Sequence, residues 1–478
     1  MVIKMIKNDV VNSKKSVFVI IYIFLAIFVL MIGYFTYYII VRSDEVINST
    51  YNKRQEVLEK QVVRGEILSA DGKVLAETIV DSDGNETREY PYGDVFAHVV
   101  GRFAKGKTGI EATENIRLLT SNINSFEKMY ADLNGEKSLG DNIVTTLDVD
   151  LQRIAFDALG NNRGAVVVLE ASTGKILAMV SKPSYDPNEV DELWEELLED
   201  EEEESPLLNR ATQGLYPPGS TFKVLTALEY MRENSKTYLK YEYDCDGSIE
   251  YGDMIMHCYN NESHGKLKLS MAFAESCNTS FASIGKNLSS SSFYTLCEDF
   301  LFNTELPINI ESNPSSFILK EDAANRSDAM QTAIGQGNTL ITPLHNAMIA
   351  AAVANEGVMR KPYMVDHIEN AEGNIIKRYS PKTAAEPMTK EEAEYISKMM
   401  RLVVTDGTGT KLDSLKVEVA GKTGSADQDT GKADAWFIGF GPYKDPEIVV
   451  SVIVESVGTG SNYAVPIAKE IFQEYFNE

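Results

Sequence analysis

From Val17 to Val41 the chain runs for 25 residues without a charged side chain. A helix of that length rises far enough, at about 1.5 Å per residue, to cross the ~30 Å hydrocarbon core of a bilayer. Beyond it the pattern changes. Residues 42–60 are polar and helix-compatible, the pattern of a stalk. Asp71-Gly72 between short apolar runs predicts a hairpin. The following stretch to about residue 140 is rich in turn residues and reads as a small domain of strands and loops. Leu147–Leu159 has apolar positions at helical spacing, with Asp148 or Asp150 placed to open the helix. Ala165–Leu169 and Ile176–Val180 flank Ser172-Thr173-Gly174 and predict a second hairpin. Residues 189–204 hold eleven Asp/Glu and no Lys or Arg, the pattern of a solvated acidic loop. Pro217-Pro218-Gly219 halts the chain before Ser220 and a mostly apolar helix running to Met231. Glu447–Glu455 reads as a strand and Tyr463–Phe476 as an amphipathic helix. Strands, hairpins and helices mixed in this order predict an α+β domain of about 330 residues.

Charge then sets the compartment. Lys4, Lys7, Lys14 and Lys15 precede the apolar run against a single Asp9, which orients the N-terminus to the cytoplasm and the bulk of the chain outside. The run is too long for a cleaved signal peptide, and no small-residue cleavage site follows it. The expected organisation is a cytoplasmic tail 1–16, a transmembrane helix 17–41, a stalk and small domain 42–142, and a large domain 143–478. The net charge of −26 makes nucleic acid a poor partner. Four Cys in 478 residues exclude a disulfide-rich miniature scaffold.

Candidate chemistry starts with serine. No serine sits in a Gly-x-Ser-x-Gly setting. Ser-x-x-Lys on a helix is the alternative, because residues i and i+3 share a face and a neutral amine there can take the serine proton. The pattern occurs five times, at Ser125/Lys128, Ser172/Lys175, Ser220/Lys223, Ser263/Lys266 and Ser283/Lys286. Only Ser220/Lys223 opens an apolar helix after a Pro-Pro-Gly stop, where free first-turn N–H groups can also stabilise an oxyanion. Ser-x-Asn occurs once, at Ser276-Cys277-Asn278. Lys-Thr-Gly occurs at Lys107 in the small domain and at Lys422-Thr423-Gly424, followed by Ser425. Ser-x-x-Lys, Ser-x-Asn and Lys-Thr-Gly in this order are the trio of penicillin-binding proteins and class A β-lactamases.

On these motifs the chain resembles a class B penicillin-binding protein, a membrane-anchored D,D-transpeptidase of cell-wall synthesis. Further strings carry the resemblance: Tyr216 to Lys223, His264-Gly265, Ala333-Ile334-Gly335-Gln336-Gly337 with Thr342-Pro343-Leu344, Gly407-Thr408-Gly409-Thr410, and Ala435 to Phe440. Arg64-Gly65-Glu66-Ile67 matches a segment of the family's non-catalytic pedestal, although Ser69-Ala70 stands where relatives carry Asp-Arg. The resemblance implies a transpeptidase/serine β-lactamase-like fold, an antiparallel sheet flanked by helices with a helical subdomain. It also implies a stem peptide of peptidoglycan as substrate and covalent inhibition by β-lactams. Ser220 is then the nucleophile, Lys223 the base, Ser276 a proton relay, Asn278 a backbone ligand, and Lys422, Thr423, Gly424 and Ser425 the carboxylate-binding strand. The N–H groups of Ser220 and Ser425 form the oxyanion hole. No glycosyltransferase domain fits before the catalytic domain, so a separate membrane polymerase of the shape-and-division type is the implied partner. A D,D-carboxypeptidase, a β-lactamase, a β-lactam sensor and an inactive division scaffold of the same fold are the alternatives.

No cofactor is expected and no metal site is assigned. Cys245 and Cys258 are candidates for a disulfide on the exterior side, with free thiols or zinc, helped by His257 and His264, as alternatives. Cys277 and Cys297 read as buried thiols. His345 and His367 read as structural.

Overall fold

The computed structural model describes residues 2–39, 54–124, 128–129, 133–199, 204–319, 326–427 and 431–477. It divides into two compact units, Met1–Gln61 and Val62–Glu478.

In the first unit a helix spans Val2–Tyr37, and its apolar side chains from Val17 to Tyr37 face outward. An unpaired apolar helix of this length is suited to lipid rather than water. Ile40 and Val41 of the expected span, and residues 42–53 of the expected stalk, lie outside the described residues; Arg54–Glu59 is helical.

The second unit is built on a five-stranded antiparallel sheet, ordered Ala420–Ala426, Asp434–Gly441, Ile448–Val454, Gly164–Glu170, Ile176–Lys182. Ile-Val-Val-Ser-Val-Ile-Val at 448–454 is buried at every position. An antiparallel strand loses its polar alternation in this way only when both faces are covered. One face packs on the helices Val149–Leu159 and Ala464–Phe476, through Leu151, Ala155, Ile467 and Ile471. The other packs on Pro343–Ala354, which is buried all round from Pro343 to Val353 and Ala-rich enough to lie close to the sheet. Asp148 accepts from the N–H groups of Asp150 and Leu151 at 2.9 Å, so it, not Asp150, caps its helix.

A second, six-stranded sheet runs Ile375–Arg378, Val365–Glu369, Asn142–Thr145, Ile67–Leu68, Val74–Val80, Glu86–Glu89. Ile67–Leu68 and Val74–Val80 form the hairpin expected at Asp71-Gly72. The 365–378 hairpin comes from far down the chain and extends the same sheet.

The acidic stretch departs from its expected form. Val190–Glu199 is a helix rather than a loop. Val190, Trp194 and Leu197 recur at helical spacing and pack with Ala97 and Tyr185, and this apolar stripe outweighs the dense charge on the other face. Residues 200–203 lie outside the described residues.

Candidate functional site

Ser220 does not cap a helix, as its place in the sequence suggests. It sits inside a 3-10 turn, Gly219–Phe222, with Pro218 in the capping position; the α-helix Lys223–Glu233 follows directly. The turn is held from several sides. Trp436 Nε1 donates to the Pro217 carbonyl at 3.0 Å, and Thr221 Oγ1 donates to the Pro218 carbonyl at 2.8 Å. Asn346 Nδ2 donates in turn to Thr221 Oγ1 at 3.1 Å. Tyr216, just upstream, donates its hydroxyl to Glu455 Oε1 at 2.7 Å, the carboxylate that Arg210 and Arg163 also bind. Gly219 has φ +54° and donates its N–H to the Gly335 carbonyl at 2.9 Å. A Cβ on Gly219 would stand 2.7 Å from the Ser425 carbonyl oxygen. The serine turn and the Lys-Thr-Gly strand therefore approach backbone to backbone, which only a glycine permits.

The three motifs meet at two buried amines. Lys223 Nζ donates to the Ser276 carbonyl at 2.7 Å, to Asn278 Oδ1 at 2.8 Å and to Ser276 Oγ at 3.2 Å. Lys422 Nζ donates to the same Ser276 Oγ at 3.0 Å and to the Thr423 carbonyl at 3.0 Å. Ser276 holds φ +54°, which turns its hydroxyl and carbonyl toward the lysines. Both lysines are fully buried, and among the described residues neither is paired with a carboxylate. Burial pulls Lys223 down to about 7, with the Cys277 and Cys258 sulfurs pulling the other way. Burial, and then the charge of Lys223, holds Lys422 well below the ordinary lysine range. Two ammonium groups on one hydroxyl without an anion are unfavourable, so a neutral amine is available near pH 7.

Thr423 is buried, with its hydroxyl 2.5 Å from that of Thr408. Ser425 is half-buried, and its Oγ accepts from the Gly460 N–H at 3.2 Å. Gly424 lies against the turn: a Cβ there would stand 3.1 Å from the Pro218 carbonyl oxygen. All eight expected site residues thus lie on elements that come together. Of the other Ser-x-x-Lys pairs, Ser125 lies outside the described residues, and Lys128, Lys175, Lys266 and Lys286 are exposed or half-exposed. Thr408, Trp436, Asn346 and Glu455 had no assigned role. Thr408 and Trp436 lie in strings quoted above, but nothing in those strings says which side chain turns inward.

Three of the four cysteines also gather here. Cys245 and Cys258 are free thiols with sulfurs 3.7 Å apart, so the disulfide alternative is not the arrangement found. Cys277 stands beside them, its sulfur 3.7 Å from Cys258, and His264 Nδ1 is 3.4 Å from Cys245. These four donor atoms lie within 4.8 Å of one another; His257 is exposed and outside the group. His345 is buried, with Nε2 2.7 Å from the Phe300 carbonyl, in keeping with a structural role.

Known proteins resemble this chain in sequence and in fold. Residues 164–474 match the penicillin binding protein transpeptidase domain, and residues 64–143 match the penicillin binding protein A dimerisation domain. The peptidoglycan D,D-transpeptidase PbpA of Mycolicibacterium smegmatis is 32% identical over 451 residues, covering 87% of this chain and 90% of the relative. The D,D-transpeptidase domain of a peptidoglycan glycosyltransferase from Eggerthella lenta superposes with a TM-score of 0.79 at 30% identity, covering 87% of this chain and 98% of that one. The penicillin G acyl-enzyme complex of penicillin-binding protein A from M. tuberculosis superposes with a TM-score of 0.78 at 28% identity, covering 87% and 100%. With the family match over residues 164–474 and a relative 32% identical along most of its length, the chain belongs to the penicillin-binding protein transpeptidase family.

Proposed function

We propose that this chain is a peptidoglycan D,D-transpeptidase that works through an acyl-enzyme on Ser220. The observation that carries the reading is the convergence of Lys223 and Lys422 on Ser276 Oγ beside the serine turn. Ser220 Oγ attacks the carbonyl between two D-Ala residues of a stem peptide while neutral Lys223 takes its proton. The Ser220 O–C bond forms and the C–N bond to terminal D-Ala breaks. Ser276 passes the proton to the leaving amine. An amine of a neighbouring stem then displaces Ser220 and closes the cross-link. The N–H groups of Ser220 and Ser425 stabilise the oxyanion, Asn278 binds the substrate backbone, and Lys422, Thr423, Gly424 and Ser425 hold the terminal carboxylate. A β-lactam enters the same path and stays on Ser220.

The remaining expectations join this reading. Residues 1–16 are cytoplasmic, 17–41 span the membrane, 42–142 form stalk and pedestal, and 143–478 carry the chemistry outside. The lysine excess before the apolar helix supports that orientation. A separate membrane glycosyltransferase of the shape-and-division type supplies the glycan strands.

The test is intact mass spectrometry of the full chain in detergent after exposure to penicillin, beside Ser220→Ala. A long-lived penicillin-sized adduct, absent in the variant, is expected. Amine-dependent peptide dimer from a D-Ala-D-Ala stem then separates transpeptidation from hydrolysis. Adduct on the Ser220→Ala chain, or product that ignores the acceptor amine, overturns the reading.

A further inference from the structure

On the reading that Ser220 is the acylated residue, we propose that Glu455 is a positioning residue for acylation. It acts through the hydroxyl of Tyr216 to hold the turn that presents Ser220. Glu455 follows the strand Ile448–Val454 and lies 239 residues along the chain from Tyr216. Both of its carboxylate oxygens are engaged. Oε1 accepts from the Tyr216 hydroxyl at 2.7 Å and from Arg210 Nε at 2.7 Å, and Oε2 lies 3.2 Å from Arg163 Nε. The side chain of Glu455 is 14% exposed and that of Arg210 3%.

The backbone aims this carboxylate. Glu455 donates its N–H to the Arg163 carbonyl at 2.9 Å. Ser456, the next residue, holds φ +50° and donates its N–H to Asp434 Oδ1 at 2.8 Å. Arg210 is fixed in turn, because its guanidinium also donates to the carbonyls of Glu204 at 2.6 Å and Ser205 at 3.1 Å. On the other side, Tyr216 exchanges both backbone hydrogen bonds with Ile341, at 3.1 and 2.8 Å. Its ring meets Trp436 edge-on, with centroids 6.1 Å apart. Burial, and then the charge of Glu455, holds the Tyr216 hydroxyl well above the ordinary tyrosine range, so it stays a donor at any working pH.

Two prolines carry the hold forward. A proline ring fixes its own φ, and the residue before a proline is confined to extended backbone. Pro218 has φ −69°. Tyr216, Pro217 and Pro218 therefore behave as one stiff strut that leads straight into the turn Gly219–Phe222. Trp436 ties the middle of the strut through the Pro217 carbonyl. Glu455 fixes its far end and need not touch substrate. Its task is to keep Ser220 in reach of Lys223 and the bound carbonyl, where a shift of about 1 Å can cost ~10²-fold. An ion-pair cluster that only stabilised the fold would alter unfolding and leave the acylation step alone.

The test is stopped-flow acylation of the full chain in detergent over a range of penicillin concentrations, which separates binding from the acylation rate constant. Tyr216→Phe deletes only the hydroxyl. Its rate constant is expected to fall roughly tenfold while binding changes by less than about twofold, the split of an interaction that matters after binding. Its pH profile is expected to lose plateau height and keep the wild-type midpoint, since Lys223 is untouched. Glu455→Gln turns a charge-assisted hydrogen bond into a neutral one and is expected to lower the same constant. Placed on Tyr216→Phe, it is expected to change that constant by no more than about twofold, because both act through one hydroxyl. Denaturant melts are expected to differ: Glu455→Gln destabilises in both backgrounds, as buried Arg210 loses its anion in each. Should Glu455→Gln fail to fold, Gly214→Ala takes its place. A Cβ there would stand 2.6 Å from the Tyr216 hydroxyl oxygen, so it displaces that group with Glu455 intact and is expected to slow acylation. A Tyr216→Phe rate constant within about twofold of wild type overturns the proposal, as does a full Glu455→Gln effect in the Tyr216→Phe background. The wild-type adduct on Ser220 separates the two conclusions. Without it the transpeptidase reading falls too; with it, an unaffected Tyr216→Phe overturns the positioning role alone.

Discussion

Lys422 Nζ reaches Ser276 Oγ at 3.0 Å across 146 residues of sequence. That contact joins the third motif to the second, and Lys223 Nζ, 3.2 Å from the same oxygen, joins the first. A hydroxyl between two amines can accept from one while donating to the other, which is what a proton relay requires.

Ser276→Ala removes that oxygen and leaves the Ser276 carbonyl and Asn278 contacts of Lys223 in place. The chain is expected to fold. Penicillin acylation of Ser220 is expected to fall by roughly 10²–10⁴-fold, the usual worth of one positioned acid–base group. Stopped-flow acylation kinetics check it; a rate within a few-fold of wild type removes Ser276 from the relay.

Lys223 lies near 7 because burial disfavours its charged form. The base works only when neutral, so acylation is expected to rise as pH climbs through about 7 and level off above it. An exposed lysine near 10 would put that rise several units higher. A profile of acylation rate from about pH 5.5 to about 9 decides between them.

Gly335 has φ +78°, and a Cβ there would stand 1.9 Å from the Gly219 carbonyl oxygen. Gly335→Ala therefore pushes on the residue before the nucleophile. Displacement of a reacting group by about 1 Å can cost ~10²-fold. A loss of that order in acylation is expected, with the circular dichroism of the folded chain retained.

Beside the six-stranded sheet, buried Glu111 accepts from Arg64 Nε and Arg88 Nε at 2.7 Å each. Burial alone would raise its pKa, but the two guanidinium groups hold it below the ordinary value. Its contribution to stability is thus present above the unfolded glutamate pKa of about 4.3 and is lost as pH falls through the lower folded value. Glu111→Gln leaves two buried cations without their anion and is expected to cost roughly 3–5 kcal/mol. Denaturant melts at pH 7 measure it, and the gap between the proteins is expected to narrow in acid.

Much of this protein is written locally. The charge-free run at Val17 needs no tertiary partner to be apolar, and Asp71-Gly72 makes its turn from two residues. Ser220, Ser276 and Lys422 are legible because the chemistry demands particular side chains at short spacings. The helix at Val190 is not legible in the sequence because eleven carboxylates over 189–204 are the pattern of a solvated loop, and the stripe of Val190, Trp194 and Leu197 acts only once it packs with Ala97 and Tyr185. Ser220 reads as a cap from its neighbours, yet the Trp436, Asn346 and Gly335 contacts hold it in a 3-10 turn.

What the sequence alone determined is the order of motifs, the membrane-spanning pattern and the sheet-forming runs, since each depends on neighbours a few residues apart. Only the tertiary structure decided that Lys223 and Lys422 share one hydroxyl in a place dry enough to unsettle their charges. It likewise decided that Cys245, Cys258, His264 and Cys277 meet. Their separations of 13, 6 and 13 residues match no short metal motif, and burial and distance are properties of the packed chain rather than of any segment.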